Sequence, residues 1–145
     1  MRGFLPDVNV LVALTLGNHR HLAEVHAWYT SERHPVLVVC RVTQLSFLRL
    51  ISTVAAADVE VKSNTEAWSI YSQLEEQRLV AFMDEPAKLT DNLALLGGYG
   101  KPAPKLWADA YLAAFALSAG LRIVTFDRAL ARMATNSVLL REQNL

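Results

Sequence analysis

Short apolar runs alternate along the chain with longer segments in which apolar residues recur every three or four positions. Mainly apolar runs of two to five residues, with no strict polar alternation, predict strands that are covered on both faces of a parallel sheet. These runs lie at residues 4–5, 36–39, 79–83, Arg122–Thr125 and 138–140. The segments between them have helical periodicity and lie at residues 8–16, 19–33, 43–54, 64–77, 88–96 and 105–119.

Strands that are separated by helices predict an α/β fold, because a parallel strand needs a crossover before its neighbour. We therefore expect a three-layer sandwich with a central, mostly parallel sheet and helices on both faces. Asn64 is expected to cap the fourth helix, and Gly120 to end the last. In the third helix, Leu45, Leu48 and Ile51 form the expected buried stripe.

The composition predicts one domain, over residues 1–145, that has apolar surface to spare. Hydrophobic residues make up 52% of the chain and charged residues 19%, which favours burial of the surplus in a homodimer. The 14 basic and 14 acidic side chains cancel, so no field of the whole protein attracts nucleic acid. Any nucleic-acid site must therefore be local.

The cysteine content and the N-terminal sequence indicate the cellular compartment and the kinds of metal site that are possible. Cys40 is the only cysteine, which excludes an intrachain disulfide and a cysteine-based zinc site. The chain has neither a signal-peptide pattern nor an apolar run long enough for a membrane span. We expect a cytoplasmic protein without a membrane partner. The histidines are expected at the surface or an interface, and they are His19, His21, His26 and His34.

Three aspartates are the candidate chemistry. Asp7 and Asp127 each follow a predicted strand, where a carboxylate can cap the next helix or serve a site, and either role explains each residue alone. Asp109 is less easily explained by structure, because it borders an apolar helical stripe and a bare buried carboxylate is costly. That stripe comprises Leu106, Ala110, Ala113, Ala114 and Leu117.

Three carboxylates that converge at the carboxyl ends of parallel strands need a cation between them. Mg²⁺ or Mn²⁺ is the natural choice, because hard divalent cations prefer oxygen ligands. Such an ion can lower the pKa of a bound water and hold a phosphate oxygen beside it, which is the chemistry of phosphodiester hydrolysis. No nucleotide cofactor is expected.

Four stretches together resemble the PIN-domain family, and most closely its VapC-type toxins. They are residues 6–14 (PDVNVLVAL), 43–50 (TQLSFLRL), 107–114 (WADAYLAA) and 124–128 (VTFDR), in the family's order. The resemblance covers essentially the whole chain. It implies a metal-dependent endoribonuclease, usually a homodimer, held inactive by a small antitoxin protein whose tail enters the active-site groove.

The resemblance also implies roles for single residues. Asp7, Asp109 and Asp127 fall on the family's acidic positions, and Asn9 and Thr125 fall on polar positions that orient them. Many members have a glutamate where this chain has Gln44, which cannot act as a general base. This difference favours one metal, bound chiefly by Asp7 and Asp109, with Gln44 in support. Asp84, Glu66 and Glu85 could substitute for the missing acid, although their spacing does not favour it.

Residues 101–141 contain six bases and two acids. Four of these bases could form a local track for RNA phosphates, or they could be scattered solvated charges, and the sequence leaves both interpretations open. They are Lys101, Lys105, Arg128 and Arg132.

A receiver or phosphatase domain is disfavoured, because the first motif is Asp-Val-Asn and neither pattern is completed. The stronger alternative is a PIN-like module that binds RNA or a protein without cleaving. The three aspartates argue against it, since a module that only bound phosphate would gain from losing them.

Overall fold

The structure is a computed structural model that describes residues 3–16, 20–53 and 61–141. Its strands are β1 (Phe4–Pro6), β2 (Leu37–Val39), β3 (Val80–Phe82), β4 (Arg122–Thr125) and β5 (Val138–Leu139). Its helices are α1 (Val8–Thr15), α2 (Leu22–Ser31), α3 (Arg41–Thr53), α4 (Asn64–Glu76), α5 (Leu89–Gly97), α6 (Leu106–Ala119) and α7 (Arg128–Met133). Residue 19, where the second predicted helix begins, and residue 54, where the third ends, lie outside the described residues.

The five strands form one parallel sheet in the order β3-β2-β1-β4-β5. β1 lies at the centre and pairs with β4 in the register Phe4 to Arg122 and Pro6 to Val124. The order of the strands switches direction at β1, and ligands bind such sheets beyond the carboxyl ends of the strands at this point. The carboxyl ends of β1 and β4 therefore define the edge where a site is expected.

Successive strand residues pack on opposite faces of the sheet. Phe4 and Val124 belong to a core shared with α1, α2, α3 and α4. Their chain neighbours Leu5 and Ile123 belong to a second core shared with α5, α6 and α7. Because both faces are covered, the strands are mainly apolar, as the sequence indicated, with Arg122 and Thr125 of β4 as polar exceptions. The predicted α/β three-layer sandwich is confirmed.

The buried face of α3 differs from the prediction. Leu45 is 58% exposed, whereas Thr43, Gln44, Phe47 and Ile51 are buried. The prediction is confirmed at Ile51, and Leu48 packs partly buried against the core, but the prediction was wrong at Leu45 because it ranked positions by hydrophobicity alone. Thr43 can be buried because its hydroxyl contacts the Cys40 thiol at 3.3 Å, and Gln44 because it is bonded to Arg41.

The start of α4 is also one residue away from the prediction. Ser63, not Asn64, is the N-cap: its hydroxyl accepts a hydrogen bond from the Glu66 backbone N–H at 3.1 Å. The Glu66 carboxylate accepts in return from the Ser63 backbone N–H at 3.3 Å. This reciprocal pair is a capping box, which satisfies two otherwise unpaired donors.

The helix α6 packs through small residues. Ala110, Ala113 and Ala114 are buried as predicted, but Leu106 is 42% and Leu117 50% exposed, so the predicted stripe was wrong at both ends. The alanine face lets α6 lie close to α5, where a Cβ on Gly97 would come within 2.9 Å of the Ala110 Cβ. As predicted, α6 ends at Gly120, whose φ of 69° suits glycine.

No helix in the described ranges is long and apolar enough to cross a membrane.

Candidate functional site

Asp7 directly follows β1, and its backbone N–H still pairs with the Val124 carbonyl of β4 at 2.8 Å. Its carboxylate caps α1, accepting hydrogen bonds from the Val8 backbone N–H at 2.8 Å and from the Thr125 hydroxyl at 3.0 Å. Burial raises the pKa of Asp7, the Thr125 and Val8 donors oppose this rise, and the Asp127 charge adds to it. Asp7 therefore has the capping role and also a perturbed carboxylate at the expected edge.

Thr125 joins the ends of β1 and β4. It is fully buried, and its hydroxyl donates to Asp7 Oδ2 while accepting a hydrogen bond from the Asp127 backbone N–H at 2.9 Å. Because the hydroxyl has one proton, these two bonds leave a single orientation for it. Thr125 therefore positions Asp7 and the chain entering α7 together.

Asp127 lies at the surface and caps α7. Its Oδ1 accepts hydrogen bonds from the backbone N–H groups of Ala129, at 2.8 Å, and Leu130, at 3.4 Å. Its Oδ2 accepts no hydrogen bond from any residue that the structure describes. One carboxylate oxygen of Asp127 is thus hydrogen-bonded to the start of α7, and the other remains available on the exposed side chain.

Asp109 lies in the first turn of α6 and is half-buried. Within the described part of the chain, no group donates a hydrogen bond to its carboxylate. Burial raises the pKa of Asp109, and the charges of Asp127 and then Asp7 raise it further. Asp109 is therefore the least satisfied of the three carboxylates.

The Asp127 charge adds to the rise in the pKa of Asp7, and the charges of Asp127 and Asp7 add to the rise in the pKa of Asp109, so the three carboxylates lie near one another. Over the described residues, however, no three Asp, Glu, His or Cys side chains form a group that could already hold a metal ion. The three aspartates thus make this edge of the sheet electronegative, but among the described residues they do not already form a metal-binding group.

The two other supporting residues make no hydrogen bond to the aspartates in the part of the chain that the structure describes. Gln44 is buried, and its Oε1 accepts a hydrogen bond from the Arg41 guanidinium, which lies over the Phe82 ring at 4.4 Å. Asn9 is exposed on α1. Over the described ranges, no hydrogen bond links Gln44 or Asn9 to an aspartate of the site.

The acids considered as substitutes for a glutamate at position 44 have other roles or lie at the surface. Glu66 completes the capping box of α4, Glu85 accepts a hydrogen bond from the Tyr111 hydroxyl at 2.9 Å, and Asp84 is exposed.

The predicted basic residues Lys101, Lys105, Arg128 and Arg132 are all exposed. Arg128 also lines a surface groove of about 480 Å³ together with Arg20 and Arg141. The sequence analysis missed Arg20 and Arg141, because only the folded strand order brings residues so far apart in the chain to one groove.

The histidines differ in environment. His21 is buried, contrary to the prediction, and its ring stacks on Phe126 with centroids 4.3 Å apart. His26 and His34 are exposed as expected, and His19 lies outside the described residues.

The family model for the PIN domain matches residues 4–136. Ribonuclease VapC41 of Mycobacterium tuberculosis is 39% identical over 130 residues, which are 86% of this chain and 89% of that protein. Ribonuclease VapC44 of the same species is 30% identical over 135 residues, 92% of each chain.

Two solved structures share the fold at low sequence identity. FitAcB from Neisseria gonorrhoeae has a TM-score of 0.66 and 19% identity, over 94% of this chain and 96% of that one. VapBC2 from Rickettsia felis, bound to a DNA fragment from its promoter, has a TM-score of 0.61 and 13% identity over the same shares. Fold, family model and curated relatives agree, and this chain belongs to the PIN domain family.

Proposed function

We propose that this chain is a metal-dependent endoribonuclease that hydrolyses RNA phosphodiester bonds and acts as the toxin of a toxin–antitoxin pair. The observation that carries the proposal is the meeting of Asp7 and Asp127 at the carboxyl ends of β1 and β4, where the Thr125 hydroxyl bridges them. Asp109 lies near enough for the charges of both to add to the effect of burial on its pKa. The curated relatives, named as VapC ribonucleases, support the same activity.

The donor set fits a hard divalent cation such as Mg²⁺ or Mn²⁺. The three side chains offer only carboxylate oxygens. Burial first, and then neighbouring like charges, raise the pKa of both Asp7 and Asp109, and a bound cation would offset both effects. Asp7 and Asp109 would chiefly hold the ion, with Asp127 beside them. Such an ion supplies positive charge for the scissile phosphate and for the attacking water.

The chain's own residues set the geometry. Thr125 and the Val8 backbone N–H hold the two oxygens of Asp7 in place, and the start of α7 holds one oxygen of Asp127. Asp109 has no described donor, so its oxygens are available to the cation or to a hydrogen bond from the attacking water. Preorganised carboxylates of this kind need little rearrangement when the substrate binds.

RNA would reach this edge through the exposed cations Lys101, Lys105, Arg128 and Arg132, which we propose contact its phosphates. Both RNA and a reduced Cys40 agree with action in the cytoplasm.

We also propose a homodimer and a small antitoxin as partners. Large apolar side chains are exposed on α5, α6 and the loop between them, which is typical of an interaction surface. They are Leu95, Tyr99, Leu106, Trp107 and Leu117. The similarity of this chain to the VapBC2 and FitAcB complexes supports the antitoxin partner.

The test is cleavage of single-stranded RNA by the purified protein with Mg²⁺ or Mn²⁺ and with EDTA. We expect cleavage only with the metal, and loss of cleavage in Asp109→Asn. Asp91→Asn is the matched control, because Asp91 is an exposed aspartate in the first turn of the neighbouring helix α5. Binding of RNA without cleavage under any metal condition would instead support the non-cleaving PIN-like module.

A further inference from the structure

The groove that contains Arg20, Arg128 and Arg141 is strongly cationic. Of the seven described residues that line it, three are arginines and none is acidic. All three arginines are exposed, and none forms an ion pair with a residue that the structure describes. The groove thus concentrates positive charge in a chain whose net charge is zero.

The groove lies at the same edge of the sheet as the three aspartates. Its floor includes Phe126, which follows β4 between Thr125 and Asp127, and Leu139 and Leu140 at the end of β5. Arg128 adjoins Asp127 in the chain. The groove therefore lies beside the acidic site, at the carboxyl ends of β4 and β5.

Arg20 is held in place by its neighbours. Arg20 donates a hydrogen bond from Nε to the His21 Nε2 at 3.0 Å, and the buried His21 ring stacks on Phe126. This bond uses one of the five N–H donors of Arg20, and the terminal nitrogens are left for an anion. Two paired oxygens of a phosphate match such a planar fork.

We propose that this groove binds the phosphodiester backbone of single-stranded RNA on one side of the cleaved bond. The inference rests on the proposed ribonuclease function and extends it to where the strand lies. A polyanion suits the groove because it neutralises the three arginines at once. From the groove, the RNA strand would continue past Arg128 to the edge of the sheet where Asp7, Asp109 and Asp127 lie. An acidic peptide is the competing occupant that the test must separate.

The experiment measures binding of a fluorescently labelled single-stranded RNA by anisotropy, in EDTA so that the RNA stays intact. The test variant is Arg20→Gln/Arg141→Gln. The matched control is Arg33→Gln, because Arg33 is an exposed arginine near the opposite, amino-terminal edge of the sheet, two residues before Pro35. Melting temperatures verify that each variant is folded, and Arg20→Lys and Arg141→Lys are tested singly.

We expect the double variant to bind RNA at least tenfold more weakly near physiological salt. The slope of log Kd against log salt concentration should fall by roughly 1.4, because each of the two lost phosphate contacts contributes about 0.7. The lysine variants should keep most of the slope, and Arg33→Gln should bind as the wild type does. Unchanged binding in the double variant, an equal loss in Arg33→Gln, or no RNA binding by the wild type would each overturn the proposal.

Two further measurements separate the alternatives. Polyglutamate that binds more tightly than RNA, and loses binding in the same double variant, would assign the groove to an acidic protein and overturn the RNA proposal. Metal-dependent cleavage by the wild type tests the proposed function independently. Cleavage together with unchanged RNA binding in the double variant would overturn the groove alone, whereas RNA binding through the groove without cleavage would overturn the ribonuclease function alone.

Discussion

The Thr125 hydroxyl donates a 3.0 Å hydrogen bond to the Asp7 carboxylate across 118 positions of the chain. The same oxygen accepts the backbone N–H of Asp127. A single buried hydroxyl therefore couples two of the three acidic residues, and it can do so only because β1 and β4 are neighbours in the sheet.

Thr125→Val should remove this coupling with little change in side-chain volume. The Asp127 N–H loses its acceptor and Asp7 loses a donor, so we expect the free energy of unfolding to fall by about 1–3 kcal/mol. RNA cleavage should fall as well, because the Asp7 carboxylate is no longer oriented. Denaturant unfolding and cleavage assays measure both effects.

Thr125→Ser is the control for that substitution, since it keeps the hydroxyl and should retain most of the activity. Wild-type cleavage in a folded Thr125→Val protein would show that the hydrogen bond does not serve the site.

Asp7→Asn should raise the melting temperature of the metal-free protein at pH 7. Burial raises the pKa of Asp7 above its ordinary value of 3.8, so the ionised side chain reduces stability once the pH exceeds that range. Asparagine avoids this penalty and still caps the helix. At a pH below both pKa values the wild-type side chain is protonated, and the difference between the two proteins should vanish.

Millimolar Mg²⁺ should raise the melting temperature of the wild type, because an ion that binds only the folded state stabilises it. The rise should be smaller in Asp7→Asn, Asp109→Asn and Asp127→Asn, each of which should also lose cleavage. A wild-type melting temperature that is the same in Mg²⁺ and in EDTA would count against a shared metal site.

Gly97→Ala tests the contact that places the first turn of α6. The added Cβ would lie 2.9 Å from the Ala110 Cβ and 3.1 Å from the Trp107 ring, so α5 and α6 must separate. Overpacking of this kind lowers the free energy of unfolding by about 1–3 kcal/mol. The better helix propensity of alanine offsets up to about 1 kcal/mol of this loss. Cleavage should fall because Asp109 is adjacent to Ala110. Gly100→Ala is a control for the steric effect, since its Cβ would meet nothing within 4 Å, although its φ of 84° adds backbone strain.

The sheet and its layers could be predicted because their signals are local. Strand runs, helical periodicity and the residues after each strand are all read from consecutive positions, and they placed Asp7 and Asp127 at strand ends. The exposed Leu45, Leu106 and Leu117 could not be predicted, because their hydrophobicity does not encode whether another element covers them.

Contacts between distant segments were beyond the sequence for a different reason. The resemblance assigned Thr125 an orienting role, but its bond to Asp7 depends on which strands are neighbours. The groove between Arg20 and Arg141 depends on the position of β5 beside β4, and the partner of Gln44 depends on the direction of the Arg41 side chain.

The capping box of α4 should make stability depend on pH in the acidic range. The hydrogen bonds with Ser63 lower the pKa of Glu66 below its ordinary value of 4.5, so ionised Glu66 stabilises the fold near neutral pH. This contribution is lost as the pH falls through the lowered pKa. The difference in melting temperature between the wild type and Glu66→Ala should therefore shrink on acidification, whereas the control Glu76→Ala, at the exposed end of α4, should show no such trend.

Gln44 gives the sharpest test of the one-metal site. Its bond to Arg41 means that Gln44→Glu would form an ion pair with that arginine, so metal-free stability near neutral pH should change little. Gln44→Ala removes a buried hydrogen bond and should cost about 1–3 kcal/mol. Because no described hydrogen bond joins Gln44 to the aspartates, Gln44→Ala should keep most of the cleavage that Asp7→Asn and Asp109→Asn lose. Complete loss of cleavage in a folded Gln44→Ala protein would instead make the glutamine a direct participant in the site.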